Sequence, residues 1–576
     1  MSLSKQQIAY VNATGNTVLC ACPGSGKTYA VVEKAKKLMR EWDKSHCGIA
    51  VLSFTNVAID EIKKAVLTEQ GIAYPHYFGT VDSFIDDVFL RYAGSFFASP
   101  RRPHIIFEHD TTHFQWRPEC YSKGCVSDIA SFHWNANLEL LHGKRKVSCP
   151  PDRDKLTPCY RYKKQLLQKG IVYQIDVPML CTRVLQKHPQ IAQAIAKRYP
   201  VIIIDEAQDT SKEQMAFFDL LRMHGVRSID LIGDPDQSIY EWRNATPECF
   251  LQKMTDEDWN TLYLTENRRS SQLICNATAA FSKTLEGKAP TTAVGDCMEY
   301  PQKPQLLLLA AGKTEADALA QFREKCGQLG IPDGTVTILT RKAIYTERKV
   351  KGLWKSQEVK LFANAAYEWL YGSRKQAFSY CEQALYLMCV DDLDNQQKPI
   401  EQEIEKQIAY QEWRKGVLTI LIGMPSANIA LSEWITGLKS LLQGIQLPLT
   451  FREKHSINDV IKIKKSDNEQ PDFQSKPLKR YFQQKDTASV VRSSIHGVKG
   501  ETYDAVLMLA LQEKGTRTLT RELLCTGELN CETMRIAYVA MTRPRKHLAV
   551  AIAKPSNTDT LRARFPQEQW EYVYVD

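Results

Sequence analysis

At 576 residues the chain has room for about three to five domains of roughly 100–200 residues each. Hydrophobic residues make up 43% and charged residues 24%, which excludes a disordered or collagen-like chain. Lys and Arg number 75 against 66 Asp and Glu; this net charge of +9 permits a nucleic-acid partner without demanding one. The greasiest stretch, Val417 to Leu438, is broken by Gly, Pro, Ser, Asn and Glu, so no transmembrane helix is expected. The first residues lack the apolar core of a signal peptide, and the 16 cysteines are expected to be reduced thiols in cytoplasm.

In chain order, the first strong signal is a short apolar run, Thr17 to Cys20, followed by Ala21-Cys22-Pro23-Gly24-Ser25-Gly26-Lys27-Thr28 and a helical stretch from Tyr29 to Arg40. Strand, glycine loop and helix are the setting of a phosphate-binding loop. Gly24 and Gly26 let backbone N–H groups face phosphates at a helix N-terminus. Lys27 then bridges the β- and γ-phosphates, and the Thr28 hydroxyl ligates Mg²⁺. Further strands are expected at Val51–Phe54, Val201–Ile204, Ile229–Ile232, Gln305–Leu309, Val336–Leu339, Ala505–Leu509 and Leu548–Ile552. Alternating with helical stretches, they predict an α/β protein with parallel sheets. The run Val201–Ile204 delivers Asp205 and Glu206 to a sheet edge, Asp205 to hold Mg²⁺ and Glu206 to orient and deprotonate the attacking water. ATP hydrolysis is the chemistry these residues predict.

Asp205-Glu206-Ala207-Gln208-Asp209, followed by Gly233-Asp234-Pro235-Asp236-Gln237-Ser238-Ile239-Tyr240, resembles motifs II and III of the UvrD/Rep/PcrA family of superfamily 1A DNA helicases. Other segments resemble the remaining motifs in order: Leu3–Gln7, Leu52–Asn56, Gly79–Phe84, Leu264–Ser270, Ser494–Gly500 and Arg535–Arg543. The resemblance implies two RecA-like P-loop domains, each interrupted by a mainly helical insertion. It gives domain 1A as 1–85 and 197–265, 1B as 86–196, 2A as 266–345 and 486–576, and 2B as 346–485.

Carried over from the family, the nucleotide site comprises Gln7 on the adenine edge, Pro23, Gly24, Ser25, Gly26, Lys27, Thr28, and the pair Tyr29 and Arg268. Gln237 would sense the γ-phosphate, with Arg269 and Arg543 as arginine fingers from the opposite domain. The family usually has Arg after the P-loop and Tyr in motif IV. Here Tyr29 and Arg268 exchange those types, so one ring and one guanidinium still offer flat faces to the adenine. Asp82 departs from a usual histidine, and Glu501 follows Gly500 one position early, which puts its ribose role in doubt. DNA contacts are expected from Phe54, Thr55, Tyr240, Trp242, Arg243 and His496, with bases stacked on the aromatics.

The first insertion carries nine Lys/Arg against two acids from Gly143 to Lys169, interleaved with Tyr160 and Tyr162. Lys163 and Lys164 are candidates to meet phosphates, against the alternative of a solvated charged face. Cys120, Cys125, Cys149 and Cys159, with His109, His113 and His133, leave a metal site open, although their spacings fit compact zinc modules poorly. About 25 residues follow the resemblance, which runs to about residue 550, and this leaves no appended nuclease in the expected plan. Such compact proteins resemble the helicase-like subunits of Gabija-type antiphage systems, which work with an OLD-family nuclease subunit. Two functions are therefore expected to compete. One is a 3′–5′ helicase using ATP and Mg²⁺ on single-stranded and junction DNA. The other is a DNA-end-sensing ATPase subunit that activates a partner nuclease. Neither involves a membrane.

Overall fold

The computed structural model describes residues 3–67, 74–93, 103–106, 132–135, 139–142, 145–146, 158–241, 244–341, 354, 356–371, 374–389, 400, 404–405, 408–444, 457–461, 475, 477–478, 491–511 and 519–576. Two six-stranded sheets, each parallel throughout, organise most of them. The first comprises β1 (Thr17–Ala21), β2 (Ile49–Ser53), β3 (Tyr77–Thr80), β4 (Val201–Ile204), β5 (Ser228–Gly233) and β6 (Asn260–Leu264). Their spatial order is β6-β1-β5-β4-β2-β3. The second comprises β7 (Gln305–Leu309), β8 (Val336–Thr340), β9 (Val491–Ser494), β10 (Tyr503–Ala510), β11 (Pro544–Ala553) and β12 (Glu571–Val575), in the order β9-β8-β10-β11-β7-β12. These are the α/β fold and parallel sheets that the sequence predicts.

The inner strands read as continuous apolar runs because both faces are covered. Every residue of β1, β2, β4 and β5 is buried. In the first sheet Leu19, Val51, Ile203 and Ile232 pack with Tyr10 of helix α1 (Lys5–Asn12) and Val31 of helix α2 (Lys27–Arg40). The second sheet has a core on each side, Val506, Met508, Val550 and Ile552 on one and Phe322, Leu307, Leu507 and Ala549 on the other. Ile239, from the connection after β5, joins the former core and so ties the first sheet's loops to the second sheet.

Parallel strands all end on one edge, so the register decides what meets there. Cys20 pairs with Gly233, and both Leu231 of β5 and Leu52 of β2 pair with Ile204. The segments following these strands therefore open side by side at the C-terminal edge, where ligands bind in open α/β sheets.

Helix α3 (Val81–Tyr92) follows β3 with Thr80 as its cap. The region after it contains α4 (Pro158–Gln168) and the helices Val177–Lys187 and Pro189–Arg198. It also contains five short strands that the expectation of a mainly helical insertion does not include. His104–Ile106 pairs with Ile171–Tyr173, and Phe132–Trp134, Leu140–His142 and Arg145–Lys146 form a small antiparallel sheet. Lys163 corrects the expectation of a phosphate contact: its side chain is buried, forms an ion pair with Asp176 and donates to the Phe132 carbonyl. The helical period turns Lys163 inward while Lys164 stays exposed. Cys120, Cys125, Cys149, His109 and His113 lie outside the described residues, while Cys159 and His133 are buried.

A second compact unit lies within Ile344–Ser489. Its described helices include Gln357–Tyr371, Arg374–Cys389, Tyr410–Gly423 and Leu431–Gly444, packed around Phe362, Leu385, Trp413, Leu421, Trp434 and Leu438. Among the described residues, no helix is long and apolar enough to cross a membrane.

Candidate nucleotide and strand site

Between β1 and α2 the chain turns through Gly24 at φ +69° and Gly26 at φ +75°. Both angles fall in the left-handed region that only glycine enters without cost. A Cβ on Gly24 would also stand 2.7 Å from both the Arg269 Cβ and the Asn267 Oδ1, so a side chain there is excluded twice. The Arg268 N–H donates to the Gly24 carbonyl at 2.8 Å. Pro23 and Ser25 are buried in this loop, and among the described residues the Ser25 hydroxyl has no hydrogen-bond partner. Gln7 from α1 closes the other side: its amide donates to the Ser25 carbonyl at 3.1 Å while its oxygen accepts from the Ser4 N–H.

Lys27 pairs with Glu206 at 3.4 Å, and the Thr28 hydroxyl donates to Asp205 Oδ2 at 3.3 Å. Glu206 adopts φ +56°, a left-handed conformation that costs a non-glycine residue energy and clusters at functional sites. Burial first, then the neighbouring Glu206 carboxylate, raise Asp205. Burial would raise Glu206 too, but Lys27 and Lys499 outweigh it and hold this carboxyl well below the usual range. A buried carboxylate beside a hydroxyl, with its charge incompletely compensated, suits a hard divalent cation. The donor set therefore fits Mg²⁺ at Thr28 and Asp205.

After β5, Asp234 accepts from the Gln237 amide, and Gln237 Oε1 in turn accepts from Arg543 Nη2 at 2.8 Å. Arg543 follows helix α5 (Glu532–Met541) and is 1% exposed. Burial lowers its pKa to about 10, with Glu206 and Asp234 opposing the shift. Arg269 donates to the Thr542 carbonyl at 3.0 Å, and burial followed by the charge of Arg543 depresses it strongly. Two adjacent guanidiniums facing a glycine loop and a lysine form a site for an anion. Tyr29 stands in the first turn of α2, two residues after Lys27, and Arg268, paired with Glu266 at 3.4 Å, faces the same loop through its backbone.

The strand-contact candidates gather on the adjoining surface. Phe54 and Tyr240 stack with centroids 5.2 Å apart and planes 28° apart. The His496 ring lies 6.0 Å from Tyr240 and its Nε2 is 3.2 Å from the Ile239 carbonyl. Thr55 spends its hydroxyl as acceptor from the Ala58 N–H at the start of a helix. Asp82 accepts from Gln214, and Glu501 is exposed. Trp242 and Arg243 lie outside the described residues.

Several site residues carry no assignment from the sequence. Arg535 donates to the Ser238 carbonyl and pairs with Glu241 at 2.6 Å, while Glu532 accepts from the Glu241 N–H at 3.0 Å. Lys499 reaches Asp209 and the Gln237 carbonyl. All of them stand inside or beside motif-like segments, so the segments were visible while the partnerships, which cross more than 290 positions for Arg535 with Glu241 and reach 290 for Lys499 with Asp209, were not.

Residues 3–258 match the UvrD/REP helicase N-terminal domain, and residues 425–555 match the UvrD-like helicase C-terminal domain. The chain is 28% identical over 284 residues to the Gabija protein GajB of Bacillus cereus (strain VD045), covering 49% of each protein. It is 25% identical over 311 residues to the ATP-dependent DNA helicase PcrA of Staphylococcus aureus (strain Mu50), covering 50% of this chain and 40% of that one. A probable DNA helicase II homolog of Mycoplasma capricolum is 25% identical over 297 residues, 49% of this chain and 41% of its own. The matches thus span at most about half the length of these relatives.

Proposed function

The chain belongs to the UvrD/REP helicase family, and on that premise we propose that it is a DNA-dependent ATPase that translocates 3′→5′ along single-stranded DNA and unwinds duplexes. The observation that carries this reading is the bond from Arg543 to Gln237, which closes an anion site with residues from both sheets. Catalysis follows from the placement of charge. The phosphate-binding loop and Lys27 hold the phosphates, with release of Lys27 from Glu206 on nucleotide entry. Glu206 accepts the proton of the attacking water, and Gln237 orients at the γ-phosphate. Arg269 and Arg543 neutralise the charge that develops there, in a water-poor setting where such donors act most strongly. Thr28 and Asp205 would hold Mg²⁺, which would supply Lewis-acid neutralisation of phosphate charge. Tyr29 and Arg268 flank the adenine, and Gln7 reads its edge. Phe54, Tyr240, Thr55 and His496 line the strand track, and Trp242 and Arg243, outside the described residues, are the further strand contacts expected from the sequence.

The similarity to a Gabija protein favours a second reading, in which the ATPase senses DNA ends and its output is activation of a separate nuclease, of the OLD family in a Gabija-type pair. Two measurements on purified chain separate the readings: ATP hydrolysis with and without a single-stranded oligonucleotide, and displacement of a strand from a duplex with a 3′ tail. Helicase function requires stimulation and displacement together; stimulation without displacement selects the sensor. Glu206→Gln should retain ATP binding and lose about 10²–10⁴-fold in turnover, the usual contribution of a general base. Undiminished hydrolysis in that variant overturns the site.

A further inference from the structure

Lys499 leaves the turn His496–Val498 on the second sheet's side and buries its ammonium among first-sheet loops. Its Nζ donates to Asp209 Oδ2 and, at 2.8 Å, to the Gln237 carbonyl. It also lies 3.9 Å from Glu206 Oε2 and 4.9 Å from the centre of the Tyr240 ring. One cation therefore touches the segment of the candidate base, the segment of the candidate γ-phosphate sensor and the aromatic ring of the strand track. It does so from the opposite sheet, with 8% of its side chain exposed. Nothing in the hydrolysis chemistry described above uses it.

Its partners are unlike in what they offer. Asp209 and the Gln237 carbonyl fix the ammonium by directional hydrogen bonds. The Tyr240 face attracts it through the ring quadrupole. A base stacking against Tyr240 acts on a ring that Lys499 already holds, and movement of that ring is resisted or followed by the same ammonium that borders Glu206. Among the described residues, the Asp209 carboxylate is held mainly by this contact: its Oδ1 has no hydrogen-bond partner there, and Oδ2 otherwise receives Gln208 at 3.4 Å.

We propose that Lys499 is a positioning residue that transmits strand stacking at Tyr240 to the hydrolytic site through Asp209 and the Gln237 backbone. The inference rests on the DNA-dependent ATPase reading and adds the residue that makes hydrolysis depend on DNA. It is neither a ligand of ATP nor a strand contact.

The test is steady-state ATP hydrolysis by the full chain over a range of ATP concentrations, with and without a single-stranded oligothymidylate. Lys499→Met should reduce the fold stimulation by DNA on the order of tenfold, in the range of ordinary coupling energies. The loss should appear in kcat of the DNA-bound enzyme, with the KM for ATP nearly unchanged and Lys499→Arg restoring part of the stimulation. Asp209→Asn should reproduce the defect, and the double variant should be no worse than either single one. Asp209→Asn carries the test by itself if Lys499→Met does not fold. Full stimulation in the single variants, a loss confined to KM, or additive losses in the double variant overturns the proposal. Absence of DNA stimulation in the unmodified protein overturns instead the ATPase reading beneath it.

Discussion

Asp86 is a carboxylic acid that the fold keeps from water, on the inner face of α3 and 9% exposed. Burial, reinforced by Asp82 and Asp87 and only partly offset by a hydrogen bond from Gln174 at 2.9 Å, pushes its pKa up to about 7. Because the folded value lies above the unfolded one near 3.8, folding favours the protonated form. That stability is fully present below about pH 4 and is lost as the pH rises through 7. Asparagine keeps the acceptor for Gln174 and cannot ionise. Asp86→Asn should therefore raise the melting temperature by several degrees at pH 8 and change it little at pH 4. An equal shift at both pH values would contradict this cause. Nothing in the sequence marks Asp86 out: Asp82, Asp86 and Asp87 share one helix, and only the packing of Gln174 on it separates a buried acid from an exposed one.

At the scale of elements, α4 shows how a basic stretch becomes structural. Lys163 fastens it to Asp176, whose other oxygen accepts from the Trp134 N–H at 2.8 Å, so one buried acid anchors a helix and a strand. Removing a single partner of a buried pair costs about 3–5 kcal/mol because the remaining charge is uncompensated. Lys163→Met should lower the unfolding free energy by that order and leave the salt dependence of DNA binding unchanged; a flatter salt slope would restore Lys163 as a phosphate contact. The strands tell the converse story. Gln305–Leu309 was legible to the residue, and Ile49–Ser53, Ser228–Gly233 and Tyr503–Ala510 nearly so, because burial on both faces writes an uninterrupted apolar run. The edge strands Asn260–Leu264 and Glu571–Val575 were not, since each keeps exposed positions and its run is mixed with polar residues. The same holds in the site. Lys27, Asp205 and Glu206 stand in short local patterns, whereas the roles of Asp209, Arg535 and Lys499 exist only where distant segments meet.

Across the whole molecule, the candidate active site belongs to neither sheet alone. Helix α5 carries Arg535 near its start, fixed to the Ser238–Glu241 loop, and leads directly into Arg543, fixed to Gln237. The helix from Arg535 to its end at Met541 rises about 9 Å, so the strand-side loop and the phosphate-side guanidinium are joined through one rigid rod. Substituting Arg543 by Ala should reduce ATP turnover by about three orders of magnitude or more, the range of an arginine finger. Binding of a non-hydrolysable ATP analogue should persist through Lys27 and the loop. A decline in turnover of less than tenfold would remove Arg543 from the reaction.

The neighbouring guanidiniums of Arg269 and Arg543 have a consequence for timing. Burial lowers the proton affinity of both, and the charge of Arg543 lowers that of Arg269 further, as repulsion between like charges requires. An anionic phosphate between them would turn that repulsion into cohesion, and its departure would restore the repulsion at once. Loss of the product and loosening of the cleft are thus a single electrostatic event. On the proposed function, the resting preference of the cleft between turnovers is written in two like charges as much as in any hinge.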